Sequence, residues 1–251
     1  MPLYIDSPDD IITAAGAVRD GTLVATAFGN FYAILAAPSL AAMHAVNQAK
    51  GRPADQVGSI TTDPSRIPAM FAGPMPDALT ALAAAGPIGF RGPAAAHLPG
   101  HLTQVVDGVR TTQVVTPGTA CPANALFTRA AAELGVDHLY VTSANRSRHH
   151  TGAREEPAHW TAAGIEGDFA HVPDVLVIAH RDEAAARASH PLHLPMSVTL
   201  LSFDGRSRRL VVERHGSLHV EDVRRLTEPY GVEVELGPAA TTRLPMRTYP
   251  A

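Results

Sequence analysis

Along the chain, apolar stripes spaced three and four apart alternate with short runs that are apolar throughout, and the clearest stripe is Leu40, Met43 and Val46. It predicts a helix opened by Pro38-Ser39, with Ser39 as cap, Gly51 just past the end and Pro53 as a stop. Lys50 then falls in the last turn and Arg52 in the exit loop. Upstream, Asp6-Ser7-Pro8-Asp9-Asp10 supplies a cap and first-turn acids for a helix through about Val18 that stops near Gly21. A strand from Thr22 to Thr26 should follow. The aromatic, apolar run from Phe28 to Leu35, around Gly29 and Asn30, reads as a bend and then a second buried strand or loop carrying Tyr32.

Further on, Val57 to Thr61 reads as a short strand, Asp63-Pro64 opens another helix, and Pro76 to Ala85 forms an alanine-rich helix capped by Gly86. Gly86 to His101 is dense in Gly, Pro and Ala, with Phe90 and Arg91 embedded, and reads as a loop. Thr103 to Val106 and Thr111 to Val115 pair around the tight-turn dipeptide Asp107-Gly108. Pro122 to Leu134 makes a helix with Gly135 behind it, and His138 to Thr142 is a buried strand running straight into Ser143-Ala144-Asn145-Arg146-Ser147. Asp174 to Ala179 is a strand, Glu183 to Ala188 a helical turn or two, and Pro191 to Pro195 a loop. Ser197 to Phe203 and Arg209 to Arg214 form a hairpin around Asp204-Gly205, before a last helix from Glu221 to Pro229 and a last strand from Val232 to Leu236. Strands and helices alternate with hairpins interleaved, which is an α/β class with a mixed sheet. No repeat, low-complexity linker or composition break divides the chain, so a single domain is expected over residues 1–251, with its core at 8–236 and a tail at 237–251.

Composition narrows the chemistry only a little. At 251 residues with 45% hydrophobic and 18% charged residues, the chain is long enough to bury a full core. A net charge of −4 gives no global sign of nucleic-acid binding, so any anion site must be local. The one cysteine, Cys121, excludes an internal disulfide and a multi-cysteine zinc site, and reads as a small buried apolar residue. No basic leader precedes an apolar core, and no stretch is long enough to cross a bilayer, so a soluble, cytoplasmic protein is expected.

One choice stands out: Lys50 is the only lysine, beside nineteen arginines. A compact ammonium acts as a point charge on phosphate, which the planar guanidinium does not replace. By position alone Lys50 would be a solvated residue closing a helix. Lys50 and Arg52, however, flank a glycine that lets the backbone turn close to a ligand. Ser143 and Asn145 leave the carboxyl end of a buried strand, where open α/β sheets bind ligands. Together these residues offer two charges for phosphate oxygens, a hydroxyl donor, and an amide able to read a ribose or carboxylate.

These two arrangements, followed by Ser197-Val198-Thr199 and Arg214-His215-Gly216, resemble the YrdC family of threonylcarbamoyl-adenylate synthases over roughly residues 8 to 236. Its motifs I-x-K-x-R-P and S-A-N-x-S-G stand here as Gln48 to Pro53 and Ser143 to Ser147, with Arg148 in place of the final glycine. The resemblance implies a YrdC-like twisted open mixed sheet with flanking helices and a central positively charged cavity. It also implies a nucleotidyltransferase that converts threonine, bicarbonate and ATP to threonylcarbamoyl-adenylate and pyrophosphate, for tRNA modification. Lys50, Arg52, Ser143, Asn145, Ser197 and Arg214 would then surround the nucleotide, with Lys50 and Arg52 acting in catalysis. Magnesium would share the phosphate charge, bound largely through substrate and water. Where the family has P-T-D-T-x-Y-G-L at the amino-acid end of its pocket, this chain has Ala27 to Ile34, in which Phe28 and Asn30 replace two threonines and Tyr32 survives. The family's R-x-P arginine falls near Ala120-Cys121-Pro122 and is missing. These departures leave open a paralogue using another amino acid or carbamate, and a module that holds nucleotide or RNA without turnover.

Other readings are weaker. His149-His150, His159 and Glu155-Glu156 lack the i, i+4 spacing of a metal motif, so no metal site is expected. Ser143 lacks a glycine-flanked nucleophile elbow, and the glycines from Gly86 to Gly100 lack dinucleotide and Walker spacing. Arg206, Arg208 and Arg209 read as a solvated hairpin tip.

Overall fold

Twelve strands, among the described residues 2–147, 156–173 and 175–249 of a computed structural model, join in one mixed sheet. In chain order they are β1 (Leu3–Tyr4), β2 (Val24–Phe28), β3 (Phe31–Ala36), β4 (Ser59–Thr61), β5 (Ile88–Pro93), β6 (Gln104–Val106), β7 (Val109–Thr116), β8 (Leu139–Ser143), β9 (Leu176–Ala179), β10 (Leu200–Ser202), β11 (Arg209–Arg214) and β12 (Glu233–Leu236). In space the order is β1-β9-β2-β3-β8-β4-β7-β5-β10-β11-β12, with β6 paired to β7. The main helices are α1 (Pro8–Arg19), α2 (Leu40–Lys50), α3 (Asp77–Ala85) and α4 (Pro122–Glu133).

Every residue of β2 and β3 is buried, which is why both read as continuous apolar runs rather than alternating ones. Removing a Val, Ile or Leu side chain such as Val24, Ile34 or Leu35 from water contributes about 1.5–3 kcal/mol each, an upper range for a partly compact unfolded chain. The expected bend between them is a two-residue hairpin connection in which Phe28 pairs with Phe31. Gly29 occupies it at φ 66°, and a Cβ there would stand 2.4 Å from Pro87 Cγ, so both conformation and space require glycine.

The expected loop over Gly86 to His101 contains a strand of the sheet's interior. β5 lies between β7 and β10, and Gly89 and Gly92 are small because Leu200, Val198 and Phe203 pack where their side chains would be. Composition therefore misreads this stretch: glycine marks close approach of neighbouring side chains here, not a turn. The Asp63-Pro64 helix is a 3₁₀ segment, Pro64–Met70. β1, which pairs in parallel with β9, was not anticipated. Beyond β12, Arg243 donates to the carbonyls of Gly216 and Ser217, the Leu244 amide donates to His215, and Tyr249 packs against His159 and Trp160. No helix among the described residues is long and apolar enough to cross a membrane.

Candidate functional site

The C-terminal end of α2 supplies half of the site. Ser39 caps the helix by accepting from the Ala42 amide at 3.1 Å, and Gly51 leaves it in the left-handed region at φ 66°. Asn47, which is buried, folds the exit loop back by donating from Nδ2 to the carbonyls of Ala54 at 3.0 Å and Gln56 at 2.9 Å. Arg52 is thereby held beside the sheet rather than trailing into solvent.

The end of β8 supplies the other half, and the two halves touch. The Ser147 amide donates to the Lys50 carbonyl at 2.9 Å, while Lys50 Nζ donates to the Ser143 carbonyl and, at 3.4 Å, to Asn145 Oδ1. Arg52 Nη1 donates to Thr142 Oγ1 at 2.9 Å. Ser143 Oγ donates to Asn145 Oδ1 at 2.6 Å, and Asn145 Nδ2 to the Arg146 carbonyl at 2.9 Å. Residues separated by about ninety positions in sequence form one cluster, as the order of the motifs implied. Lys50 is 1% exposed, so the reading of a solvated helix-end lysine does not hold: its stem packs in the interior and its ammonium props up the loop after β8.

Beside this cluster opens a cavity of about 650 Å³. Arg52, Arg91 and Arg214 bring positive charge to its wall and Asp55 a carboxylate, and the sheet face beneath presents Ser143, Ser59 and Gln113. Of the six residues expected around a nucleotide, Arg52, Ser143 and Arg214 line the cavity. Lys50 and Asn145 lie behind Ser143. Ser197 is buried next to Val198, which does line the cavity and whose carbonyl accepts from Arg214 Nε at 3.0 Å. Gly216, the glycine of the Arg214-His215-Gly216 stretch, passes so close to Ser197 that a Cβ would meet its carbonyl oxygen at 2.2 Å.

The expected amino-acid end is placed differently. Phe28, Asn30 and Tyr32 do not line this cavity; Phe31 and Ala33 do. Side chains alternate across a strand, so the residues that face the cavity from β3 are one position out of step with those expected. Tyr32 points to the other side, where its hydroxyl donates to Glu183 Oε1 at 2.8 Å and accepts from the His180 amide at 3.3 Å. Burial, reinforced by Glu183, raises its pKa, so it stays protonated. Asn30 Nδ2 donates to the His193 carbonyl at 2.9 Å.

Arg91, Gln113 and Gln104 were missed. Arg91 Nε donates to Glu213 Oε2 at 2.7 Å and Nη2 to Gln113 Oε1 at 2.8 Å, while Gln113 Nε2 donates to Ser59 Oγ. Gln104 satisfies its surroundings when its amide oxygen faces Arg91. The signal available in sequence was Ile88 and Phe90 two apart, a strand pattern hidden by the flanking glycines and prolines.

Among the described residues, no group of three or more His, Cys, Asp or Glu is placed to hold a metal ion. His149, His150 and Glu155 lie outside the described residues. His159 is engaged by Asp168 at 2.6 Å and Tyr249 at 2.7 Å.

No protein-family model matches the chain, and no curated protein matches its sequence. Solved structures do. A doubly substituted P. abyssi Sua5 superposes with a TM-score of 0.72 at 20% identity, over 97% of this chain and 67% of that one. P. abyssi Sua5 complexed with L-threonine gives 0.69 at 21% identity, over 93% and 60%. Full-length HypF in a phosphate- and nucleotide-bound form gives 0.56 at 15% identity, over 90% and 40%. The chain thus spans about two thirds of the length of the Sua5 chains it matches. The large mixed sheet and its flanking helices are accordingly those of the Sua5/YrdC fold.

Proposed function

We propose that this protein is an ATP-dependent synthase that forms a carbamoyl- or aminoacyl-type adenylate, with threonine and bicarbonate as first-choice co-substrates and pyrophosphate as co-product. The observation that carries the reading is the junction of α2 with the end of β8 at the wall of an arginine-lined cavity. The likeness to a Sua5 that holds L-threonine and a HypF that holds phosphate and nucleotide supports the same pairing of ligands.

In this reading Arg52 and Arg214 take phosphate oxygens of ATP, and the Ser143 hydroxyl, held at 2.6 Å from Asn145, turns to a ribose or phosphate oxygen. Lys50 acts from behind, fixing the Ser143–Asn145 loop and adding its charge to the phosphate-binding wall. The amine of the amino acid captures carbon dioxide or bicarbonate, and the resulting carbamate attacks the α-phosphorus as pyrophosphate leaves. The protein's share is to hold the reactants in line and to stabilise charge on the transferring group. Magnesium would accompany the triphosphate rather than sit in a protein cage, and Asp55 is the carboxylate at the cavity wall that would help hold it. When bound it shares the phosphate charge.

The test is pyrophosphate release from ATP, bicarbonate, magnesium and each of the twenty amino acids in turn. Release with threonine alone supports the threonine reaction, and release with another amino acid supports a paralogue of different specificity. Release with none, while ATP still binds, would leave a nucleotide-holding module and remove the synthase.

A further inference from the structure

The same sheet face that floors the cavity continues past it. Register carries Arg91 of β5 beside Gln113 of β7 and Ser202 of β10, and Ser202 beside Val211 of β11; the register then shifts at Glu213, whose carboxylate reaches the same face, where it meets Arg91 at 2.7 Å. Ser202 is small enough for Arg91 to reach across β10 to Glu213. A second hollow of about 290 Å³ lies here, lined by Glu213, Phe203 and Val211 among others, and it shares Arg91 and Thr111 with the main cavity. Arg91 therefore borders both spaces, at their junction. Its side chain is 14% exposed and that of Glu213 is 28% exposed, so the pair is shielded but reachable.

Charge separates the two spaces. The main cavity has Arg52 and Arg214 on its wall, suited to a polyanion, whereas the junction is balanced, a guanidinium against a carboxylate. A phosphate placed there would meet Glu213 and be repelled. A ligand of zero net charge with a carboxylate at one point and an ammonium close by meets an opposite charge at each. Gln113 and the Gln104 amide oxygen also set the plane of the Arg91 guanidinium, so a ligand carboxylate exchanges with that of Glu213 on a group whose orientation is already fixed.

We infer that Arg91 and Glu213 form the head-group station for the acceptor amino acid, Arg91 taking its carboxylate and Glu213 its ammonium before the amine is freed to react, with the amino-acid side chain directed into the 290 Å³ hollow. This rests on the synthase reading, and it relocates acceptor recognition from residues 28–32, which do not line the cavity, to β5 and β11. Acceptor choice then depends on how the side chain fits against Val109, Thr111 and Val211.

The experiment measures binding of ATP and, separately, of each of the twenty amino acids by calorimetry to the full chain and to Arg91→Met and Glu213→Gln, with melting curves for all three. Both substitutions should weaken the best amino acid by about 10- to 100-fold, the worth of one or two charge-assisted hydrogen bonds. ATP affinity should stay within about twofold of the parent, because the nucleotide contacts lie elsewhere. Arg91→Lys, which keeps the charge and loses the fork, should recover only part of the loss. Equal amino-acid affinity in parent and variants would overturn the inference, as would parallel loss of ATP and amino acid, or no amino-acid binding by the parent at all. Arg91-dependent amino-acid binding without ATP binding would keep this station and remove the synthase reading instead.

Discussion

Acid should loosen this fold through several buried imidazoles, and most sharply through that of His193. The residue is 4% exposed, neither ring nitrogen has a hydrogen-bond partner among the described residues, and its Cε1 presses on Gly86 so closely that a Cβ there would sit 2.8 Å away. Burial, with His190 and Arg243 pushing the same way and Asp222 opposing, lowers its pKa from 6.5 to about 4. Because the folded value lies below the unfolded one, the unfolded chain takes up the proton first as pH falls. The stability that neutral His193 contributes is complete above about pH 6.5 and is withdrawn progressively towards about pH 4. The full gap corresponds to roughly 3 kcal/mol, and at about pH 5 roughly 2 kcal/mol should already be lost. For a chain of this size that is a fall of about 4–8 °C in melting temperature. Burial also lowers the pKa of His138, His159, His180 and His215, so the parent will lose more than this. The quantity to read is therefore the difference between parent and His193→Leu, melted at about pH 7.5 and about pH 5. The variant should lose about 4–8 °C less than the parent across that interval. If both lose the same number of degrees, His193 is protonated in the folded state at little cost, and the reasoning fails.

Other expectations concern the site itself. Lys50→Ala should abolish ATP binding in calorimetry and, because the side chain is buried and tied to the loop after β8, lower unfolding free energy in urea by about 2–4 kcal/mol. Arg52→Gln should weaken ATP by about 10- to 100-fold while keeping a folded far-ultraviolet circular dichroism spectrum, since Asn47 holds the exit loop through its backbone and glutamine keeps a polar group beside Thr142. Gly216→Ala should cost about 3 kcal/mol or more in chemical unfolding, because the obstruction is the Ser197 carbonyl rather than a movable side chain.

The cluster of Lys50, Arg52, Ser143 and Asn145 was legible because its geometry is set by local rules: Ser39 and Gly51 fix where α2 begins and ends, and an apolar strand delivers Ser143 at its carboxyl end. Arg91 and Glu213 were illegible because their meeting depends on β10 entering between β5 and β11, a pairing that no local pattern announces. The amino-acid end failed for a narrower reason. Tyr32 was read as the surviving member of a motif, yet in a strand buried on both faces an apolar run does not say which alternate positions face a ligand. Gly86 to His101 failed because the glycines that permit tight packing in β5 are the same residues that would make a loop.

The place of β10 sets a timetable for the growing polypeptide. Gly89 must wait for Leu200 before its strand is flanked on both sides, so more than a hundred further residues have to leave the ribosome first. Until then β5 offers bare amide and carbonyl groups along one margin, an invitation to stray pairing that chaperones would have to guard. The pocket is consequently among the last regions to acquire shape, and a nascent chain stalled before β10 should be recognisably incomplete to proteases even though its amino-terminal half is already paired.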